Sequence, residues 1–136
     1  MSKYQFTVEA SPQYVAEQSA PQQAIYSFAY TITVHNTGEV AAQLISRHWI
    51  ITDGNGHTEE VKGLGVVGQQ PLLRPGESFQ YSSGCRLRTA SGAMRGSYFC
   101  VAEDGERYEA EIPAFILDAD DPAGPEGTAA SQRVLH

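Results

Sequence analysis

One short stretch of the sequence has the residue spacing of a phosphate-binding loop. Residues 63–68 read GLGVVG, and the glycines are Gly63, Gly65 and Gly68. In dinucleotide-binding proteins this spacing joins a strand to a helix whose N-terminus meets a pyrophosphate. The residues that follow, QQPLLRPGE, contain two prolines, and each interior proline costs a helix about 3 kcal/mol. The sequence therefore excludes the dinucleotide fold. It leaves a loop that needs glycine for its backbone geometry, or backbone amides that bind an anion.

Three arginines near a second loop point to the same chemistry. Arg86 and Arg88 lie in the segment SSGCRLRTASG (82–92), which we predict to be a loop, and Arg95 follows shortly after it. Arginine binds phosphate through two parallel hydrogen bonds, and Arg47 would be able to complete such a site. The simpler interpretation is exposed arginines that balance a mildly acidic domain. The candidate residues for an anion or a partner are Gly63, Gly65, Gly68, Arg86, Arg88 and Arg95.

No set of side chains predicts catalysis or a metal centre. The histidines, at positions 35, 48, 57 and 136, lack the spacing of a metal site, and both cysteines are distant in sequence. His57 and Glu59 would share one face of a strand, but two ligands do not make a site. No serine or cysteine lies in a nucleophile-elbow pattern, and the adjacent carboxylates at 59 and 60 would point to opposite faces. We predict a non-enzyme without cofactor or metal.

Alternation of apolar and polar residues with a period of two predicts strands in much of the chain. It is clearest in SFAYTITVH (27–35) and RYEAEIP (107–113). The residues that we expect to face inward are Phe28, Tyr30, Ile32 and Val34 in the first segment, and Tyr108, Ala110 and Ile112 in the second. Pro113 must then lie at a sheet edge or at a bend, because proline has no amide hydrogen for a ladder.

Four further segments are predicted to form strands. Residues 40–53 would also suit a helix, but they end in the strand-forming residues WIIT and in the turn sequence DGNG. Residues 57–62 predict a short edge strand, and residues 77–82 and 93–103 predict two more. Turns recur every 8 to 15 residues and no helix is indicated. We therefore predict an all-β, antiparallel sandwich of about seven strands, fibronectin type III-like or immunoglobulin-like.

Composition and charge narrow the functional classes. The chain has 136 residues and a net charge of −7, which argues against nucleic acid or an anionic membrane as partner. No apolar run approaches the roughly 18 residues that cross a bilayer, and the N-terminus has no signal-peptide pattern, so we expect a cytoplasmic protein. Two cysteines are too few for a disulfide framework. Residues 1–117 are predicted to form the domain, and the acidic residues 118–136 a disordered tail.

Several motifs taken together resemble the bacterial ApaG family. They are SRHWIITDGNG, VKGLGVVGQQPLLRPGESFQYSSGC, GAMRGSYFC and IPAFIL, in this order between Tyr4 and Leu117. The resemblance implies a fibronectin type III-like sandwich and an accessory or binding role without catalytic residues. It also implies an association with cobalt tolerance, magnesium efflux and a genetic neighbour that hydrolyses diadenosine tetraphosphate. Related eukaryotic domains look like protein-interaction modules. Arg86, Arg88 and Ala90 stand where relatives commonly have prolines.

Two functions remain as alternatives at this point. The first is a non-enzymatic binding module that recognises a protein partner through loops at one end of the sandwich or through a free sheet edge. The second is a protein that binds a small phosphate-containing molecule, pyrophosphate or a dinucleoside polyphosphate, with the glycine loop. A direct metal role rests only on the family's association.

Overall fold

Eight strands and two short 3-10 turns make up residues 2–120, the part of the chain that the computed structural model describes. The strands are β1 (Phe6–Tyr14), β2 (Tyr26–Asn36), β3 (Ala42–Asp53), β4 (Thr58–Leu64), β5 (Leu72–Leu73), β6 (Ser78–Leu87), β7 (Ser91–Ala102) and β8 (Arg107–Asp118). The 3-10 turns, Ala16–Gln18 and Pro21–Gln23, join β1 to β2.

Two antiparallel sheets pack face to face. The small sheet has the order β1-β2-β6, and the large sheet has the order β4-β3-β7-β8, with β5 paired to the first residues of β3. Seven strands have seven residues or more, and β5 adds a pair of residues to them. The predicted antiparallel sandwich is confirmed.

Apolar residues of alternate positions form the core between the sheets. Phe28, Tyr30, Ile32 and Val34 of β2 are all buried, as predicted. Trp49 of β3 is 2% exposed, and its ring meets those of Tyr30 and Phe115 edge-on, with centroids 5.4 and 6.0 Å away. Full burial of one large apolar side chain contributes roughly 1.5–3 kcal/mol to the free energy of unfolding.

Two parts of the fold differ from the sequence prediction. Residues 82–92 were predicted to be a loop, but β6 extends to Leu87 and β7 begins at Ser91, so only 88–90 connect them. The prediction was wrong because polar residues mask the pattern, whereas pairing with β2 and burial of Leu87 keep the strand extended. The sequence pattern also did not single out β1, which pairs with β2 along its whole length.

The two lateral sides of the sandwich are unlike each other. On one side β1 lies next to β8: the rings of Tyr4 and Phe6 pack on Tyr108, with centroids 5.8 and 6.0 Å apart. Pro113 lies in β8, the edge strand of the large sheet, at a bulge opposite Arg95, which agrees with its predicted position. On the other side β6 and β4 end their sheets. We call this the open side.

The predicted domain boundary at residue 117 falls one residue before the end of β8. Most of the predicted disordered tail lies outside the described residues, so that prediction stays untested. None of the residues 2–120 forms a helix long and apolar enough to cross a membrane. Cys85 and Cys100 are both free thiols.

Buried hydroxyl and thiol groups make the fold sensitive to alkaline pH. Burial raises the pKa of Tyr81 from 10.0 to about 12, and the pKa values of Cys85 and Cys100 from 9.0 to about 12. The unfolded chain loses the two thiol protons above pH 9 and the Tyr81 proton above pH 10, whereas the folded chain keeps all three up to about pH 12. The free energy of unfolding should therefore fall by about 1 kcal/mol per pH unit for each group.

Urea unfolding at pH 8 and pH 10.5 measures this effect, and we expect a lower midpoint at pH 10.5. A chain with Cys85→Ala and Cys100→Ala should lose less stability over the same interval, because it lacks two of the titrating groups. Equal midpoints for the unsubstituted chain at both pH values would contradict the expectation.

Candidate functional site

The glycine stretch forms a tight hairpin. The amide of Val66 donates to the carbonyl of Gln69 at 2.8 Å, and the amide of Gln69 donates back at 2.9 Å. The two residues between them, Val67 and Gly68, have φ angles of 43° and 80°. Positive φ at both central positions is characteristic of a type I′ turn, for which glycine is favoured. Gly68 therefore fits the backbone-geometry interpretation, and the fully buried Val66 anchors the hairpin to the core.

Amides of this loop are already used within the fold. The Gly65 amide donates to the Ile45 carbonyl at 2.8 Å, and the next amide, that of Val66, is bonded across the turn. An anion nest requires successive amides that point at a ligand. These two amides point at carbonyl oxygens instead. The binding of an anion by the glycine loop stays a prediction, to which the amides of Gly65 and Val66 do not contribute.

The side chain of Arg47 lies against Gly63, the first glycine of the stretch, and the sequence analysis did not predict this contact. Its guanidinium donates to the carbonyl oxygens of Leu64 and Gly65 at 3.0 and 2.9 Å. Arg47 and Gly63 are paired across β3 and β4. A Cβ atom at position 63 would lie 2.8 Å from both terminal nitrogens of the guanidinium. Gly63 thus leaves space for an arginine that holds the loop, and the strand register is the signal that links them.

Arg86 and Arg88 lie together at the end of β6 and in the turn to β7. Both are exposed, and no carboxylate of residues 2–120 forms an ion pair with either. They border a cleft of about 720 Å³ on the open side of the sandwich. The other residues that line this cleft are Ile51, Asp53, Asn55, His57, Thr58, Glu59 and Leu87. A second depression, of about 400 Å³, adjoins the same two arginines next to residues 23–25.

The six candidate residues lie in three separate places. Gly63, where the glycine stretch begins, lies four residues along β4 from Glu59 of the cleft, about 13 Å at roughly 3.3 Å per residue. Arg95 is exposed on the outer face of the large sheet, since its neighbours Met94 and Gly96 turn toward the core side with Tyr98. Of the three candidate arginines, only Arg86 and Arg88 share a site.

Residues 2–120 bring no three His, Cys, Asp or Glu side chains close enough together to hold a metal ion. His57 and Glu59, which the sequence placed on one strand face, both line the cleft next to Arg86 and Arg88. The cleft is therefore bordered by two arginines that form no ion pair within residues 2–120, together with mostly polar residues that include Asp53 and Glu59.

Comparison with known proteins gives the family. The ApaG domain model matches residues 16–102, which is more than half of the chain. The chain belongs to the ApaG family. Protein ApaG of Acidovorax sp. (strain JS42) is 67% identical to it over 138 residues and covers both chains completely. Protein ApaG of Dechloromonas aromatica (strain RCB) is 58% identical over 135 residues, covering 99% of this chain and 97% of the relative.

A solved structure shows the same sandwich. The crystal structure of the ApaA protein from Bordetella pertussis matches with a TM-score of 0.86 and 56% identity, covering 88% of this chain and 98% of that chain. The ApaG domain match includes the glycine loop and all three candidate arginines. It ends before β8, although Ala110, Ile112 and Leu117 of that strand are buried in the same core.

Proposed function

We propose that this ApaG-family chain is a non-enzymatic binding module that acts in the cytoplasm. It recognises a protein partner with the end of the sandwich that carries Arg86 and Arg88. The observation that carries the proposal is the pair of exposed arginines without an ion-pair partner at the border of the 720 Å³ cleft.

The physical basis is the unused hydrogen-bonding capacity of the two guanidinium groups. Each presents five N–H donors, and a carboxylate accepts two of them in parallel. Arginine is enriched among the residues that dominate binding energy, particularly where neighbouring surface excludes water. Asp53 and Glu59 also line the cleft, but neither forms an ion pair with Arg86 or Arg88. An acidic group of the partner is the ligand that fits.

A phosphate-containing small molecule is the second candidate ligand. The same two arginines favour it, because guanidinium groups bind phosphate and carboxylate with the same geometry. We place this candidate at Arg86 and Arg88 rather than at the glycine loop, whose amides at 65 and 66 are bonded within the fold. Addition of pyrophosphate should then shift the backbone amide signals of residues 86–88 and leave those of 65 and 66 unchanged.

The family resemblance suggests a link to cobalt tolerance, magnesium efflux and diadenosine tetraphosphate metabolism. In the proposed function this link is indirect, through the partner that the module binds. Cobalt is expected to produce only weak, uniform changes in amide signals. A strong local effect near His57 would instead support a direct metal role.

Charge-neutralising variants test the proposed function. We expect the Arg86→Gln/Arg88→Gln chain to retain at least tenfold less of a partner that copurifies with the unsubstituted chain from its own cells. The double variant Arg95→Gln/Arg107→Gln is the control, since it removes the same charge from exposed positions outside the cleft. Equal retention by all three chains would overturn the assignment of this site.

A further inference from the structure

Besides the two-residue β5, four strands form the edges of the two sheets, and three of these four have features that discourage pairing with another chain. Natural proteins protect sheet edges with proline, bulges and charged side chains. Pro113 and the adjacent bulge interrupt β8, and Pro12 removes an amide hydrogen from β1. In β4, three of the seven residues are charged: Glu59, Glu60 and Lys62.

The fourth edge strand, β6, lacks these features. It has ten residues, SFQYSSGCRL, without a proline and with Arg86 as its single charge. It ends the small sheet, and its free edge lies on the open side of the sandwich. Most of its middle residues are exposed or half-exposed. By the criteria that identify protected edges, β6 is the exception in this fold.

The hydrogen-bond pattern shows which backbone groups of β6 are free. Bonded and non-bonded pairs alternate in an antiparallel ladder. The Asn36 amide donates to the Glu77 carbonyl at 2.9 Å, so counting along the register leaves the backbone groups of Gln80, Ser82, Gly84 and Arg86 directed away from β2. The backbone groups of Ser27, the register partner of Arg86, are likewise not bonded to β6. The Ser27 amide donates to Ser19 Oγ, and the Ser27 carbonyl accepts from the Val15 amide.

We propose that the free edge of β6 binds an extended segment of a protein partner as an additional strand, with acidic side chains of that segment on Arg86 and Arg88. This inference rests on the proposed function and names the form of the partner. Strand addition to an exposed edge is a general mode of peptide recognition, in which backbone bonds hold the peptide and alternate side chains select it.

The charges on the two faces determine where the acidic side chains must lie. Leu87 faces the core, so Arg86 projects to the outer face of the small sheet. On the inner side, the added strand would face Glu59 and Val61 of β4. An acidic residue there would meet a like charge, whereas on the outer face it meets Arg86. The segment therefore carries acidic residues at outward positions and small apolar residues at inward positions.

The test uses the full chain and a synthetic acetylated peptide that has valine at alternate positions, threonine between them and two aspartates at outward positions near one end. Amide hydrogen exchange of the chain is followed by NMR. We expect at least tenfold slower exchange at Ser82 and Gly84 with saturating peptide. A peptide N-methylated at the residues that pair with β6 should give no protection. A peptide with lysine in place of aspartate should bind at least tenfold more weakly.

Two variants of the chain distinguish the contribution of the β6 backbone to peptide binding from that of the two arginines. Ser82→Pro removes an amide hydrogen that the ladder with β2 does not use, and it should abolish protection while the fold is retained. If this variant does not fold, the N-methylated peptide still tests the edge. Arg86→Gln/Arg88→Gln should weaken binding about tenfold and leave the pattern of protected amides unchanged.

The failures of the two proposals are distinguishable. If the arginine variant loses its cellular partner but no peptide protects the β6 amides, strand addition is wrong and the proposed function stands. If the aspartate and lysine peptides protect β6 equally, β6 adds a strand but Arg86 and Arg88 do not select acidic segments, and that part of the proposal is wrong. Protection in the free chain that grows with protein concentration would show a second copy on the edge. Protection at every concentration would show a segment of the same chain there, and either result overturns the proposal.

Discussion

Replacement of Gly96 by alanine is expected to lower the free energy of unfolding by about 3–5 kcal/mol, or to prevent folding. Gly96 lies in β7, in the middle of the large sheet, opposite Trp49 of β3. An added Cβ would overlap the His48 carbonyl oxygen and lie 3.1 Å from the His48 carbonyl carbon and 3.2 Å from Trp49 Cα. These are backbone atoms of the neighbouring strand, so relief requires the two central strands to separate.

Urea denaturation followed by Trp49 fluorescence measures this loss. Gly56→Ala is the matched control, because no atom lies within 4 Å of the new Cβ and only the φ angle of 85° opposes the substitution. That strain costs on the order of 1–2 kcal/mol. A loss at position 96 no larger than the loss at position 56 would show that β3 and β7 can adjust, and would contradict the steric argument.

Removal of one hydroxyl group from the core is expected to cost about 1–3 kcal/mol in the variant Tyr98→Phe. Tyr98 is fully buried, and its hydroxyl oxygen lies 2.5 Å from that of Tyr81, so the two hydroxyl groups satisfy each other between the sheets. Phenylalanine at 98 leaves the Tyr81 hydroxyl buried without this partner. The double variant Tyr81→Phe/Tyr98→Phe removes both groups and should cost less than the sum of the single variants.

A double-mutant cycle at neutral pH measures the coupling, and we expect at least 1 kcal/mol. Tyr108→Phe is the control, since the Tyr108 hydroxyl is buried and has no hydrogen-bond partner among residues 2–120. Its loss should leave stability unchanged or raise it. Additive losses in the cycle, or a Tyr108→Phe loss as large as that of Tyr98→Phe, would contradict this account of the core.

Gly96→Ala and Tyr98→Phe both alter the packing beneath the open side and leave its exposed residues unchanged. Tyr81 belongs to β6, whose free edge is the proposed docking site, and Trp49 lies in the strand that pairs with β4. A binding edge must stay extended without a partner. The stability of the central strands therefore bears directly on whether β6 can be recognised.

Much of the fold was predictable from local sequence. In β2 and β8, apolar residues at every second position indicate both the strand and its buried face, because successive side chains of a strand point to opposite sides. The turn at residues 53–56 was likewise predicted, because its sequence DGNG consists of turn-forming residues. Polar strands such as the second half of β6 were not, since their extended conformation comes from pairing with β2 rather than from their own pattern.

The candidate site was predictable only in part, because spacing along the chain does not give distance in space. The sequence by itself determined the strands with clear alternation, the family, and the exclusion of a dinucleotide fold by two prolines after residue 68. Tertiary structure alone decided that Gly63 makes room for Arg47, that Arg95 lies apart from Arg86 and Arg88, and that β6 has a free edge. These depend on strand register and sheet order, which long-range pairing sets and local residue pattern does not encode.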